Sequence, residues 1–144
     1  MNAKPFLIEG AVFTDDRGSV SFVNDFNFAN IERFYIIKNA EKNPVRAWQG
    51  HKLDSKNFYC ISGSFEIYYV KIDNWENPSH DLKVESVILR ASQANILHIP
   101  SGYANGIKAL EKESQLMSFS TLPLNLYKED DVRYDCSTWK IDTE

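Results

Sequence analysis

Apolar residues alternate or run together in short stretches at 19–23, 33–38, 57–61, 64–72, 83–89, 95–99 and 115–120, rich in Val, Ile, Phe and Tyr. Such runs predict strands, because β-branched and aromatic side chains pack well on a pleated surface. Turn-forming sequences separate them: Asp16-Arg17-Gly18, Asn43-Pro44, Ser62-Gly63, Asn77-Pro78, Pro100-Ser101-Gly102 and Asn105-Gly106. No long segment repeats apolar residues at the helical period, and only 123–128 and 134–139 suit a helical turn. Many short strands at this spacing predict an all-β sandwich or barrel. With no linker, repeat or low-complexity segment, residues 1–144 are expected to form one domain.

Composition narrows the classes. A 144-residue chain can bury roughly two thirds of its unfolded surface, so it needs neither metal nor disulfide to fold. Net charge is −4 and no run of Lys or Arg exceeds two, which argues against nucleic acid as a partner. No apolar run approaches the length of a membrane span, and the start lacks a signal-peptide pattern. Cys60 and Cys136 do not make a disulfide framework, and two free thiols fit a cytoplasmic protein.

The stretch RAWQGHKLDSKNFYCISGS at 46–64 carries the chemistry. In a strand, Gln49 and His51 share a face while Arg46 and Trp48 point to the other. A following strand from Lys56 would return beside it and turn at Gly63.

This spacing resembles the first motif of the cupins, small jelly-roll barrels with a His-x-His pair, a Glu and a Gly. PSGYAN at 100–105 resembles their second motif. Carried over, the metal-ligand positions fall on Gln49, His51, Lys56 and Asn105. An ammonium at Lys56 has no lone pair and repels a cation, so the motif implies no metal and no cofactor. DDRGSVSF, RAWQGH, KNFYCISGSF, LHIPSGYANG and YKEDDVRYD together resemble the metal-free cupins acting on nucleotide-linked 4-keto-6-deoxy sugars. These are the dTDP-4-keto-rhamnose 3,5-epimerases and the sugar 3,4-ketoisomerases.

Both activities abstract a proton beside a ketone, which needs a base, an acid and oxyanion stabilisation. The resemblance places epimerase histidines at Gln49 and Asn105, where neither amide accepts a proton near neutral pH. It places the epimerase acid Tyr near Pro123 or Leu124. The ketoisomerases resemble the chain at RGSVS and ERFYIIKN and keep a His at 51. The expected activity is therefore a 3,4-ketoisomerase, with a 3,5-epimerase or a non-catalytic sugar-nucleotide binder as alternatives and a metal-dependent cupin disfavoured. His51 is the expected base and Tyr35 the acid or orienter. Arg17, Arg46 and Lys56 are expected at the phosphates, with Arg46 reaching them only through a bulge or a neighbouring subunit. Gln49, Asn105 and His98 complete the expected substrate contacts, and Asp135 resembles the carboxylate that partners the epimerase histidine. The resemblance also implies a homodimer built by exchange of an N-terminal strand.

Overall fold

The structure, a computed structural model, describes residues 3–39 and 45–141. Twelve strands are present among them: β1 (Phe6–Ile8), β2 (Ala11–Asp15), β3 (Gly18–Phe22), β4 (Arg33–Lys38), β5 (Arg46–His51), β6 (Lys56–Ser62), β7 (Ser64–Lys71), β8 (Glu85–Arg90), β9 (Ile96–Ile99), β10 (Tyr103–Ala109), β11 (Gln115–Ser120) and β12 (Val132–Arg133). One 3₁₀ helix, Leu124–Asp130, precedes the last strand. All seven strands expected from the apolar runs are present. Residues 134–139 form turns with no helix, and the Asn43-Pro44 signal lies outside the described residues.

Two five-stranded antiparallel sheets face each other, in the orders β1-β9-β6-β11-β4 and β12-β5-β10-β7-β8, while β2 and β3 form a separate hairpin. Between the sheets, Phe58, Leu97 and Leu116 meet Phe65, Ile67 and Ile107 in one core. This is the jelly-roll barrel of the cupins. The second sheet also buries its outer face: Trp48, Tyr68, Val70 and Ala104 pack under Trp139 of the C-terminal tail. Both indoles keep their N–H bonded, Trp48 Nε1 to the Trp139 carbonyl at 3.1 Å and Trp139 Nε1 to the Ser79 carbonyl at 2.8 Å.

Asn105-Gly106, read as a turn signal, instead lies inside β10. Its register against β5 passes from Asn105–Gln49 to Gly106–Ala47, which leaves Trp48 as the extra residue of a β-bulge. Gly106 is needed for close approach, since a Cβ there would stand 2.8 Å from the Ala47 Cβ. The Trp48 backbone pairs outward, its N–H and carbonyl each 3.1 Å from the carbonyl and N–H of Tyr134. One inserted residue reverses the alternation upstream of it. Arg46 thereby joins Gln49 and His51 on the inner face, as the bulge alternative required.

Candidate active site

A cavity of about 570 Å³ opens between the sheets. Its walls include Tyr35 from β4, Arg46 and Gln49 from β5, Asn105 from β10, and Tyr127 and Arg133 from the C-terminal segment. Four residues singled out from sequence therefore share one cavity. Lys38 also lines it, but its ammonium is engaged 3.0 Å from Glu113.

His51 lies two residue pairs along β5 from the Gln49–Asn105 pair, opposite Tyr103 in the register, and is 3% exposed. Its Nδ1 is 3.2 Å from the Asp130 main-chain carbonyl. A carbonyl only accepts, so Nδ1 carries the proton and Nε2 keeps its lone pair. Nε2 is buried and has no protein partner. Burial, helped by the Lys56 charge, pushes the imidazole pKa below its ordinary value near 6.5, so the ring is neutral at pH 7. The Asp130 carboxylate, 3.7 Å from Nδ1, is thus not paired with an imidazolium. Instead it accepts the backbone N–H groups of Lys52, Leu53 and Asp54 at 2.7, 2.9 and 2.8 Å, holding the loop after His51 against the end of the 3₁₀ helix.

Lys56 points inward from β6, 2% exposed, with Nζ 2.9 Å from Asp54 Oδ2 and 5.0 Å from the centre of the Tyr35 ring. The Asp54 contact is within ion-pair distance but is not aligned as a hydrogen bond, so the ammonium retains N–H groups for another acceptor. Asp54 also accepts from Ser120 Oγ, Thr121 N and Leu122 N at 2.7, 2.9 and 3.2 Å. Burial raises its pKa, but the Lys56 ammonium and these donors outweigh burial and hold the carboxyl below the ordinary carboxylate range. Lys56, Asp54 and His51 thus form a buried polar group whose charges act on one another, and the Tyr35 ring, which lines the cavity, lies against the Lys56 ammonium.

The other expected residues are placed elsewhere. His98 faces the outer side of the first sheet, its Nδ1 2.7 Å from Asn57 Oδ1 and its ring against Phe6, so it does not line the cavity. Arg17 sits at the tip of the β2–β3 hairpin, 84% exposed and paired with Asp15 at 2.9 Å. Asp135 is exposed and accepts the Ser137 N–H at 2.9 Å, a local turn contact and not a histidine pair. The carboxylate beside position 49 is Asp131, whose Oδ1 accepts Gln49 Nε2 at 2.8 Å. Tyr127, three residues beyond the position expected for an acid Tyr, brings a phenol into the cavity from the 3₁₀ helix. Sequence reasoning missed Asp54, Asp130, Asp131, Tyr127 and Arg133. The signal was the YKEDDVRYD stretch, which contains all of these but Asp54 and which the resemblance covers without assigning their roles. Among the described residues no cluster of three or more His, Cys, Asp or Glu is arranged to hold a metal ion.

The lowered His51 pKa has a measurable consequence. Between the folded pKa and 6.5 the unfolded chain binds the extra proton, so stability is fully present above pH 6.5 and declines as pH falls through the folded value. His98, also lowered by burial, adds to the same window. The urea midpoint is expected to drop between pH 7.5 and 5.5, and His51→Asn should flatten part of that drop; an undiminished slope would assign it to His98 alone.

A family model described as dTDP-4-dehydrorhamnose 3,5-epimerase matches residues 3–144. The chain belongs to the dTDP-4-dehydrorhamnose 3,5-epimerase family. Comparison with curated protein sequences returns no significant match. Among solved structures, the chain is similar to a sugar 3,4-ketoisomerase from Thermoanaerobacterium thermosaccharolyticum in complex with TDP, with TM-score 0.71, 18% identity, and 96% of this chain and 93% of that chain covered. A TDP-quinovose 3,4-ketoisomerase from Campylobacter jejuni gives 0.67, 19%, 90% and 92%. The rmlC epimerase of Mycobacterium tuberculosis gives 0.74, 18%, 98% and 78%. At these identities the likeness establishes the fold.

Proposed function

We propose that this family member is an isomerase of a nucleotide-linked, TDP-type 4-keto-6-deoxyhexose and moves the carbonyl between C4 and C3. One observation carries the choice: the barrel interior offers a single neutral imidazole with an unpartnered Nε2, while the epimerase base positions hold amides. His51 Nε2 takes the C3 proton, electrons move into the ketone, and an enediolate forms. Lys56 stabilises its oxygen charge, supplying a fixed cation where charge develops. The proton on O3 passes to O4, and His51 returns its proton to C4, so one base serves both carbons. Tyr35, lying between the cavity and Lys56, turns aside as the sugar enters and donates a hydrogen bond to O4, keeping its own proton. Arg46 at the cavity wall binds the diphosphate as a planar fork.

Incubation with dTDP-4-keto-6-deoxyglucose in deuterated water tests this by proton NMR. Exchange at C3 with a 3-keto product is expected. Exchange at both C3 and C5 would replace the ketoisomerase with an epimerase, and binding without exchange would leave a sugar-nucleotide binder. The epimerase reading has one observation in its favour, the Tyr127 phenol in the cavity. Gln49→His would place an imidazole beside the Asp131 carboxylate, and C5 exchange is expected to appear in that variant alone; if it fails to appear, Tyr127 is not positioned as an acid.

The active species is proposed to be a homodimer. The outer side of the first sheet exposes Phe34 and Ile36, at 60% and 51%, and the hairpin exposes Phe13 and Val20, at 58% and 61%. Exposed apolar side chains of this kind on the sheet and on the hairpin call for a partner, and the proposed second copy brings Arg17 on its hairpin toward the other cavity. Sedimentation should give twice the chain mass, with Phe34→Glu shifting it to monomer; a monomeric parent protein would remove Arg17 from the site.

A further inference from the structure

The Asp131 carboxylate binds three cavity groups at once. Its Oδ1 accepts Gln49 Nε2 and Arg133 Nε, each at 2.8 Å, and its Oδ2 accepts the Tyr127 hydroxyl at 3.2 Å. Gln49, Tyr127 and Arg133 all line the cavity, and Arg133 stands directly opposite Gln49 in the β12–β5 register. Burial raises the Asp131 pKa, but its donors, Arg133 foremost, outweigh that and keep it below the ordinary range, so the clasp is charged at neutral pH.

A carboxylate without a proton can only accept, so the Gln49 amide must turn its NH₂ toward Asp131. The carbonyl Oε1 is then presented away from Asp131, on the side of Asn105. We infer that Asp131 is a positioning residue: by fixing this amide orientation it makes position 49 an acceptor for a ring hydroxyl of the hexose, while aiming the Arg133 fork at the anionic part of the same ligand. Without the carboxylate either end of the amide could face the sugar; with it only the carbonyl end does, so the hydroxyl opposite it donates. The inference rests on the nucleotide-sugar reading and names how that ligand is recognised. It also accounts for an amide where proton transfer is no longer performed: a locked amide reads a hydroxyl that the reaction leaves in place.

Titration calorimetry with TDP and with TDP-glucose, which carries ring hydroxyls and no ketone, separates the two halves of the clasp. The measured quantity is the sugar increment, the ratio of the two dissociation constants. Gln49→Leu should lower the increment about three- to tenfold, the range of one net hydrogen bond, with TDP affinity unchanged. Asp131→Ala, which removes the oxygen that holds both donors, should lower the increment by a similar factor and also weaken TDP through Arg133. In the double variant the increment should fall no further than in Gln49→Leu alone, because both changes remove one interaction. A structural role for Asp131 would instead weaken TDP and TDP-glucose equally, and losses in the increment that multiply would show two separate contacts; either result overturns the inference. If Asp131→Ala lowers the urea midpoint, Gln49→Asn serves in its place: the amide, one methylene shorter, no longer reaches Asp131 and loses its fixed orientation, and an increment equal to the parent's would overturn the inference. A parent protein that binds TDP-glucose no better than TDP would refute the nucleotide-sugar reading itself.

Discussion

His51→Asn is expected to abolish deuterium exchange into the sugar, a loss of about 10²- to 10⁴-fold set by the contribution of a positioned general base, while nucleotide affinity stays within about twofold. The substitution suits the site because an Asn amide can still donate to the Asp130 carbonyl that now receives Nδ1–H. Loop geometry after β5 depends on the Asp130 carboxylate and is untouched by the change. What disappears is the Nε2 lone pair, and an amide nitrogen cannot replace it. Exchange rates and TDP affinity measured on the same preparation separate chemistry from binding. Exchange at the parental rate would take the base role from His51 and pass it to a group on the cavity wall.

Asp54→Asn is expected to cost about 3–5 kcal/mol of stability, the range for breaking a buried ion pair from one side. Both side chains are almost wholly buried, so water does not screen the orphaned Lys56 ammonium. The new amide can keep its oxygen for Thr121 N and Leu122 N, but its NH₂ then faces the Lys56 ammonium at the other position. Adding Lys56→Met should recover a large part of the loss, since replacing both charges by neutral groups removes the desolvation penalty along with the attraction. Urea unfolding of the single and double variants measures this, and a single-variant cost under about 1 kcal/mol would mean that the pair is not closed off from solvent. The acid limb follows the same pair. Because the folded Asp54 pKa lies below its ordinary value near 3.8, its contribution is complete above that pH and is lost as pH falls through the folded value.

The strands were legible because the fold asks of each only an apolar inner face, and stretches such as Arg33–Lys38 and Gln115–Ser120 state that locally. Asn105-Gly106 misled because the same residues that favour a turn also permit a strand to approach a bulge closely. That bulge decides the face of Arg46, and nothing in an i, i+2 pattern announces an inserted residue. Gln49, His51, Lys56 and Asn105 could be read from motif spacing, although the strand from Lys56 does not return beside β5 as expected: β6 crosses to the facing sheet, which points Lys56 into the barrel from the opposite wall. Asp54, Asp130 and Asp131 could not, because each acts through distant parts of the chain: Asp54 on Thr121 and Leu122, Asp130 on the loop 52–54, Asp131 on β5. His98 shows the limit of the reverse kind, a histidine near the second motif whose strand parity turns it to the outer face.

Whether the sugar reaches the enclosed imidazole behind Tyr35 is decided by a crystal structure of His51→Asn with TDP-4-keto-6-deoxyglucose bound. The hexose is expected inside the barrel, with C3 about 3–3.5 Å from the side-chain atom at position 51 that takes the place of the imidazole's reactive edge, Tyr35 displaced and the diphosphate at Arg46. A hexose held at the cavity mouth, with Tyr35 unmoved between it and position 51, would rule out His51 as the base and the ketoisomerase mechanism with it.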